Sequence, residues 1–431
     1  MKRLFEIQKF LDMLSEAVEI RKELLKKYFV PRIDSFINLS KFFVIEKYTQ
    51  KEWKDLISLH FINTTYNFSK EAIRIHFFTN DEIALESYLG FITLRNLPEV
   101  AAILSYAFPN FSTFLREYKK KFVFNDLNFY IMTYDKKVHI GSEELVIKTF
   151  PFYSQDGVVT RCAHADIIMV SNYLHHKWGF NKIEVGDIFD SYSFYRTKPF
   201  PSEGLLIYQI AEIFSNNKID ICIKNREDFG EYFVEILDSL IESSFPVILA
   251  TKQHVCVIFG HTLFERKKAY IIYDDSGYFT NDILKKGRDF FTIISKEELD
   301  NLLDKNSYII YPEPQRVYYP YLNIKKAVEK FIYSPRKLSY IVRERIFLVE
   351  NYKIKEFLSK NTIKILPKGE TLEDFLLYNY PHFLWYIELN TTKGDYVIFC
   401  GDPTRHVRSI TPPFYKTFFI VKGVLGTLSK F

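Results

Sequence analysis

One helix-like run near the middle of the chain limits the possible folds more than any other feature. Residues 162–177 read CAHADIIMVSNYLHHK and are apolar over most of a helical circumference. The main apolar stripe consists of Ala163, Ile167, Val170 and Leu174. A helix that is apolar nearly all round is buried, so we predict a central helix. It should end near Gly179, because glycine is common just beyond helix ends.

The first residue of this predicted helix is a cysteine. A thiol in the first helical turn faces unpaired backbone N–H groups and the positive end of the helix dipole, and both favour the thiolate. Gln155 stands seven residues earlier and can donate a hydrogen bond to the oxygen that becomes negative when a carbonyl is attacked. We therefore predict that Cys162 is a nucleophile and Gln155 an oxyanion donor. The alternative for a lone cysteine here is a small core residue.

Two short apolar runs further along the chain supply a base and a carboxylate. His254 precedes the run VCVIF, and Asp274 follows the run AYIIY twenty residues later. If the runs form antiparallel strands, the start of the first lies beside the end of the second. An acidic partner on one imidazole nitrogen leaves the other free to exchange a proton with a thiol. We predict a triad of Cys162, His254 and Asp274, with Asp275 as the alternative carboxylate.

Two other histidines are alternatives to His254 as the base. His164 stands two residues along the helix from Cys162, so its side chain points to a different face. His261 is seven residues beyond His254 and belongs at the opposite edge of the sheet. His254 is therefore the preferred base.

Adjacent histidines near the end of the predicted helix, His175 and His176, raise the question of a metal site. No CxxC or HExxH spacing supports one. Positive charge near a helix C-terminus is favourable in itself, which explains the pair without a metal. The sequence also contains no glycine-rich phosphate loop of either common pattern. We therefore predict neither a metal ion nor a cofactor.

The sequence predicts an α+β protein in which the helix carrying the cysteine packs on an antiparallel sheet carrying the histidine and the aspartate. Three apolar runs, at 246–250, 255–259 and 269–273, predict three strands of that sheet. Gly260 and the polar ERKK segment are expected to form the turn between the last two strands. Accessory α/β portions are expected on either side of this core.

Changes in composition and pattern along the chain predict four segments. They are an N-terminal helical or α+β accessory region at 1–80, a β-rich lead-in at 81–149, the catalytic domain at 150–315 and a C-terminal α/β accessory region at 316–431. A chain of 431 residues exceeds what one hydrophobic core usually serves, so more than one packed unit is expected.

Charge and cysteine usage narrow the class of protein further. The 58 basic and 53 acidic residues are interspersed, and the net charge of +5 is too small to predict nucleic-acid binding. Four cysteines without paired spacing indicate free thiols in a reducing compartment, and Cys256 is expected to pack in the core. No apolar run reaches the ~18 residues that span a bilayer. We expect a cytoplasmic protein, and the sequence leaves its oligomeric state open.

Three segments carry a family resemblance: QDGVVTRCAHA, HVCVIFG and YIIYDDSGYF. They resemble papain-like cysteine peptidases, most closely the bacteriocin-processing (peptidase C39-like) group and its bacterial relatives. The resemblance spans about residues 150–280 and implies a papain-like core. It also implies that Gln155 serves the oxyanion hole, Cys162 attacks, His254 is the acid/base and Asp274 orients it. Ala163 stands where the bacteriocin-processing peptidases usually have glycine.

The predicted function is that of a cysteine peptidase-like thiol hydrolase acting on a peptide or isopeptide bond of a peptide or protein substrate. The papain-like arrangement also serves acyltransferases and transglutaminases, so acyl transfer to an amine is an alternative. A catalytically silent papain-like module that binds a partner is the alternative from another class. A leader-peptidase role fused to export is not expected, because the sequence contains no transporter segment.

Overall fold

The computed structural model of the protein describes most of the chain. The described residues are 2–18, 21–48, 71–95, 104–122, 129–157, 160–191, 204–252, 254–264, 267–273, 290–313, 317, 320–330, 341–360, 363–366, 371–392, 395–404 and 414–422. They form two compact units, the first comprising Met1–Arg226 and Pro246–Tyr311 and the second Glu227–Phe245 and Pro312–Phe431. Both units combine helices with sheets, which confirms the predicted α+β class.

Helices and strands are mixed along the described residues of both units. The strands are β1 Phe42–Tyr48, β2 Ala72–Phe78, β3 Tyr88–Leu94, β4 Leu104–Pro109, β5 Tyr130–Ile131, β6 Tyr134–Ile140, β7 Glu143–Thr149, β8 Phe152–Tyr153, β9 Ile221–Asn225, β10 Val247–Ala250, β11 Val255–Phe264, β12 Lys267–Tyr273, β13 Phe291–Ser295, β14 Tyr308–Pro312, β15 Ile341–Glu350, β16 Ile363–Leu366, β17 Phe383–Thr391, β18 Asp395–Gly401 and β19 Phe414–Lys422. The α-helices are α1 Lys2–Val18, α2 Lys22–Leu24, α3 Asp34–Leu39, α4 Phe111–Phe122, α5 Cys162–Trp178, α6 Val185–Asp190, α7 Ile207–Asn216, α8 Phe233–Glu242, α9 Lys296–Leu302, α10 Tyr321–Val328, α11 Asn351–Lys360 and α12 Leu372–Leu377.

The first unit contains a five-stranded antiparallel sheet in the order β1-β2-β3-β4-β8. Strand β3 passes very close to β4 at Gly90, where a Cβ atom would lie 2.2 Å from the carbonyl oxygen of Phe108. Because no side chain fits there, glycine is required. The sheet takes strands from three of the four segments predicted from the sequence, and those segment boundaries remain predictions.

A second sheet of the first unit follows the order β13-β12-β11-β10-β14-β9, with β5 pairing alongside β11. Strands β10, β11 and β12 are antiparallel neighbours, which confirms the three predicted strands. Gly260 is not part of the predicted turn, because β11 continues through it to Phe264, and β12 begins at Lys267, within the predicted ERKK segment. A Cβ atom on Gly260 would lie 2.5 Å from the carbonyl oxygen of Tyr130 in β5. Glycine here permits a close strand approach.

Helix α5 packs against β11, and residues 163–174 of the helix are all buried. The contact is aromatic: the Phe150 ring stacks on Tyr173 of α5 at 4.8 Å and on Phe259 of β11 at 5.1 Å between centroids. The helix ends as predicted at Gly179, which has a φ of 74° and donates its N–H to the carbonyl of His175. A buried central helix on an antiparallel sheet is therefore present.

The second unit is built on an antiparallel sheet in the order β15-β17-β18-β19-β16. Its core combines buried side chains of α11, α12 and the sheet, among them Phe357, Phe375 and Tyr386. Helix α8 packs against β15, and there Arg345 contacts two buried carboxylates. Its Nε donates to Glu242 at 3.0 Å and its Nη1 to Glu388 at 3.4 Å.

Candidate active site

Cys162 is the first residue of α5, as the sequence predicts. Its side chain is half-buried, whereas residues 163–174 that follow it are buried. The thiol therefore stands at the point where a rigid, buried helix meets a more accessible surface. The backbone N–H groups of the first helical turn have no partners within the helix, so this end can stabilise negative charge.

The loop between Gln155 and the helix is closed by reciprocal hydrogen bonds between Asp156 and Thr160. The Asp156 carboxylate accepts the Thr160 N–H at 3.2 Å and the Thr160 hydroxyl at 2.8 Å. The same hydroxyl oxygen accepts the Asp156 N–H at 3.0 Å. These bonds fix the spacing between Gln155, which is half-buried, and the helix start.

His164 is part of the helix start, where its ring accepts a hydrogen bond from the backbone. Its Nδ1 accepts the backbone N–H of Arg161 at 3.3 Å, so the proton of the neutral ring is on Nε2. The ring is buried, and burial lowers the pKa of His164 to about 4. Near neutral pH it is therefore an uncharged helix cap, and the choice of His254 as the base stays a prediction.

His254 immediately precedes β11, and its backbone is held by Thr251. The Thr251 N–H and hydroxyl both donate to the His254 carbonyl oxygen at 2.9 Å, and the His254 N–H donates back to the Thr251 hydroxyl oxygen at 3.1 Å. The side chain of His254 is 6% exposed. The residue is thus fixed at the start of the strand on which α5 packs.

Asp274 and Asp275 lie outside the described residues. Strand β12 ends at Tyr273, which pairs with Val257, three residues beyond His254. The end of β12 and the start of β11 are therefore at the same edge of the sheet, as the sequence predicts for antiparallel neighbours. The choice between the two carboxylates stays a prediction.

His261 lies near the other end of β11, where it pairs with Tyr130 of β5 and Tyr270 of β12. Its ring stacks on Tyr130 at 5.2 Å, and its Nδ1 accepts a hydrogen bond from the Lys268 ammonium at 3.2 Å. His261 therefore packs against other side chains at the opposite end of β11 from His254.

The remaining cysteines occupy different environments. Cys256 and Cys400 are buried, and burial raises the pKa of Cys400 to about 12. Cys222 is half-buried like Cys162 but lies in strand β9 rather than at a helix start. Cys222 is therefore the natural reference thiol for the reactivity of Cys162.

The histidine pair at the other end of α5 has local explanations. His175 Nδ1 bonds the carbonyl of Phe180 at 2.7 Å, and the His176 ring stacks on Tyr134 at 4.6 Å. Burial and nearby positive charge, Lys136 foremost, lower the pKa of His176 to about 4, so it does not carry the helix-end charge that the sequence suggested. No cluster of metal-binding side chains is found among the described residues.

The sequence did not predict the partners of Ser154, the residue before Gln155. Its hydroxyl accepts a hydrogen bond from Arg32 at 3.2 Å, and its carbonyl oxygen accepts one from Arg95 at 3.0 Å. Both arginines are distant in sequence. The only local signal is that Arg95 ends an apolar run, YLGFITLR, where a charged side chain is unexpected.

Comparisons with known proteins give little. No family model matches the sequence, and no curated protein matches it. A crystal structure of UfSP from C. elegans is similar with 12% identity and a TM-score of 0.28, over 38% of this chain and 33% of that chain. The match thus spans about one third of that protein's length, and a likeness at this level defines neither fold nor activity. Within the described chain, no helix has the length and apolar character needed to cross a membrane.

Proposed function

We propose that the protein is a papain-like thiol hydrolase that cleaves a peptide or isopeptide bond. Cys162 is the nucleophile, His254 its base and acid, Asp274 the residue that orients the base, and Gln155 a donor to the oxyanion. Asp275 is the alternative to Asp274. The resemblance to the bacteriocin-processing (C39-like) peptidases supports this assignment through the order of the four residues.

One observation carries the proposal: a half-buried thiol begins a buried helix that packs on the strand preceded by His254. A thiolate is the attacking species of such enzymes, and the start of a helix favours it. A core cysteine would be inaccessible, as Cys256 and Cys400 are.

The packing of α5 on β11 supports pairing of Cys162 with His254. Tyr173 and Phe259 share the ring of Phe150, which marks one point where helix and strand meet. From that point, Cys162 is eleven residues back along the helix, about 16 Å. His254 is five residues back along the strand, also about 16 Å. Elements running side by side would bring both residues to the same end.

The proposed reaction proceeds through a thioester. His254 takes the proton of the Cys162 thiol, the sulfur bonds to the substrate carbonyl carbon, and the carbonyl oxygen becomes an oxyanion held by Gln155 and backbone N–H groups. The oxyanion collapses, the C–N bond breaks, and His254 gives its proton to the leaving amine. Water, deprotonated by His254, then attacks the thioester and restores the thiol.

Alkylation by iodoacetamide tests the nucleophile. At pH 7 we expect Cys162 to be alkylated about tenfold faster than Cys222, as measured by mass spectrometry of the two peptides. His254→Ala should reduce this ratio towards one, because the imidazole no longer assists the thiol. The matched control is His261→Ala, a change on the same strand to an equally buried histidine, which should preserve the ratio.

Attack on a carbonyl is tested with p-nitrophenyl acetate. The Cys162 sulfur should take the acetyl group and release p-nitrophenolate in a burst that Cys162→Ser abolishes and Cys222→Ser preserves. Added amines that collect the acetyl group in place of water would favour acyl transfer over hydrolysis. If Cys162 reacts no faster than Cys222 with either reagent, the enzymatic proposal is wrong and a silent binding module is the better description.

A further inference from the structure

Arg95 follows strand β3, and its side chain is completely buried. Its Nη2 donates to the carbonyl oxygens of Leu104 and Ser154, both at 3.0 Å, and its Nη1 donates to the hydroxyl of Tyr153 at 3.4 Å. All three acceptors are neutral. Among the described residues, no carboxylate lies within ion-pair distance of Arg95, and its Nε has no hydrogen-bond partner.

A buried charge without a counter-charge is unusual. Burying an ion is costly unless it is paired, and arginine keeps its proton under all ordinary conditions. The three neutral oxygens solvate the guanidinium but do not cancel its charge. The interior next to Ser154 therefore holds a net positive charge in a medium of low dielectric constant, where its field acts more strongly than it would in water.

Ser154 connects this charge to the candidate site. Its N–H donates to the carbonyl of Ser105 at 2.9 Å, its carbonyl accepts from Arg95, and its hydroxyl accepts from Arg32 at 3.2 Å. The hydroxyl also donates to the carbonyl oxygen of Gln155 at 3.4 Å. Each polar group of Ser154 is thus engaged, which fixes the chain where Gln155 begins.

The Ser154 carbonyl and the Gln155 N–H belong to one peptide group. A cationic donor on the carbonyl oxygen polarises that group and makes its N–H a stronger donor, because hydrogen bonds in a chain reinforce one another. In the proposed reaction this loop stabilises the negative charge of the oxyanion. The charge of Arg95 thereby acts on the loop through a backbone that is held in place.

We propose that Arg95 is a positioning residue for attack by Cys162, because it fixes the Ser154–Gln155 peptide group and supplies an uncompensated positive charge to the loop that faces the oxyanion. This inference rests on the proposed function. Arg95 does not contact substrate in this role. It acts through Ser154 and Gln155.

The two reagents used for Cys162 separate the contributions of Arg95. Alkylation by iodoacetamide requires only the thiolate, whereas acylation by p-nitrophenyl acetate requires both the thiolate and the oxyanion hole. In Arg95→Met we expect acylation of Cys162 by the ester to slow about tenfold or more. We also expect the pH profile of its alkylation to move upward by about half a unit to one unit, because a nearby positive charge has been removed.

The matched control is Arg74→Met. Arg74 lies in β2 of the same sheet and is largely buried over the ring of Phe91, but it is paired with Glu46 at 3.2 Å. We expect this variant to leave both the acylation rate and the pH profile unchanged. Far-UV circular dichroism should show that both variants are folded.

A second variant covers the case in which Arg95→Met does not fold. Arg95→Lys keeps the charge but loses the planar fork, so its alkylation profile should match the wild type while ester acylation slows several-fold. A purely structural role would lower stability without moving the pH profile in Arg95→Met, and that result would overturn the inference, as would an upward shift in Arg95→Lys. Wild-type Cys162 that reacts no faster than Cys222 would instead refute the proposed function itself.

Discussion

Arg95 and Arg345 are both largely withdrawn from solvent, and their charges are compensated in opposite ways. Arg345, in the second unit, lies between Glu242 and Glu388 with its guanidinium over the ring of Phe347. Arg95, in the first unit, donates only to neutral oxygens among the described residues. When both carboxylates are ionised, the Arg345 group carries a net charge of about −1 by simple charge counting, whereas the Arg95 group carries +1.

The difference indicates what each arginine does. A cation held by two carboxylates from a helix and a strand ties those elements together, as Arg345 joins α8, β15 and β17. A cation without a counter-charge contributes less to stability than a paired one, because its desolvation offsets much of what its hydrogen bonds contribute, so a function elsewhere helps to explain its presence. For Arg95 that function is the field it exerts on the loop before Cys162. Removing Arg345 should therefore cost more stability than removing Arg95.

The largest effect is expected for Arg345→Met. The change leaves Glu242 and Glu388 buried without their cation, and removing one partner of a buried ion pair costs about 3–5 kcal/mol. Hydrogen exchange of peptides from β15 and β17 should accelerate, because local opening becomes less costly. Arg343→Met is the matched control, since this exposed arginine is on the same strand and should change exchange little. Similar hydrogen exchange in both variants would contradict a stabilising role for the ion pairs of Arg345 with Glu242 and Glu388.

A smaller loss is expected for Arg95→Met. The carbonyl oxygens of Leu104 and Ser154 lose a donor, but an uncompensated charge also leaves the interior. These effects oppose each other, so we expect a net loss of about 1–2 kcal/mol. Hydrogen exchange of peptides from β3 and β4 measures it. A loss as large as that of Arg345→Met would mean that Arg95 is primarily a structural residue.

The sequence predicted the candidate site better than it predicted these arginines, for a physical reason. Helix α5 follows from local apolar periodicity, and its end follows from Gly179 alone. The positions of Cys162 and His254 at element starts follow from where those patterns begin. The site's helix and strands were therefore predictable, while the catalytic roles of Cys162, His254, Asp274 and Gln155 remain predictions.

Contacts between residues distant in the chain could not be predicted from the sequence. Arg95 and Ser154 are 59 residues apart, and only the folded sheet brings them together. Gly260 shows the same limit, because a glycine between two strand-like runs indicates a turn until one knows that β5 passes beside it. Local patterns specify elements, and contacts between distant segments decide what a glycine or an arginine does.

Ser154→Ala should have a smaller effect than Arg95→Met. The change removes the hydroxyl bonds to Arg32 and to the Gln155 carbonyl but leaves the backbone bond from Arg95. We expect about 0.5–1.5 kcal/mol of lost stability from such bonds. Ester acylation of Cys162 should slow only about twofold to threefold, with no shift of the alkylation pH profile, because the charge remains. A profile shift equal to that of Arg95→Met would show that the charge of Arg95 is not what moves it.

The smallest effect concerns how stability depends on pH in the second unit. Burial raises the pKa of Glu388 above its usual value, and Glu242 adds to this rise while Arg345 opposes it. A carboxyl group whose pKa is raised by folding binds its proton more tightly in the folded state. Its contribution to stability is therefore fully present below the unfolded value near 4.5 and is lost as the pH rises through the folded value.

Glu388→Gln should remove this dependence. The amide oxygen can still accept a hydrogen bond from Arg345, its NH2 group can donate to the Tyr386 hydroxyl oxygen in place of the bond that the carboxylate accepts, and Glu242 still balances the arginine. The free energy of unfolding, measured with urea, should therefore fall less between pH 4.5 and 7 in the variant than in the wild type. The control is Glu344→Gln, which removes a carboxylate on β15 that is paired with Lys325. Its stability should depend on pH as that of the wild type does. If the stability of Glu388→Gln depends on pH as strongly as that of the wild type, protonation of Glu388 is not the cause of this dependence.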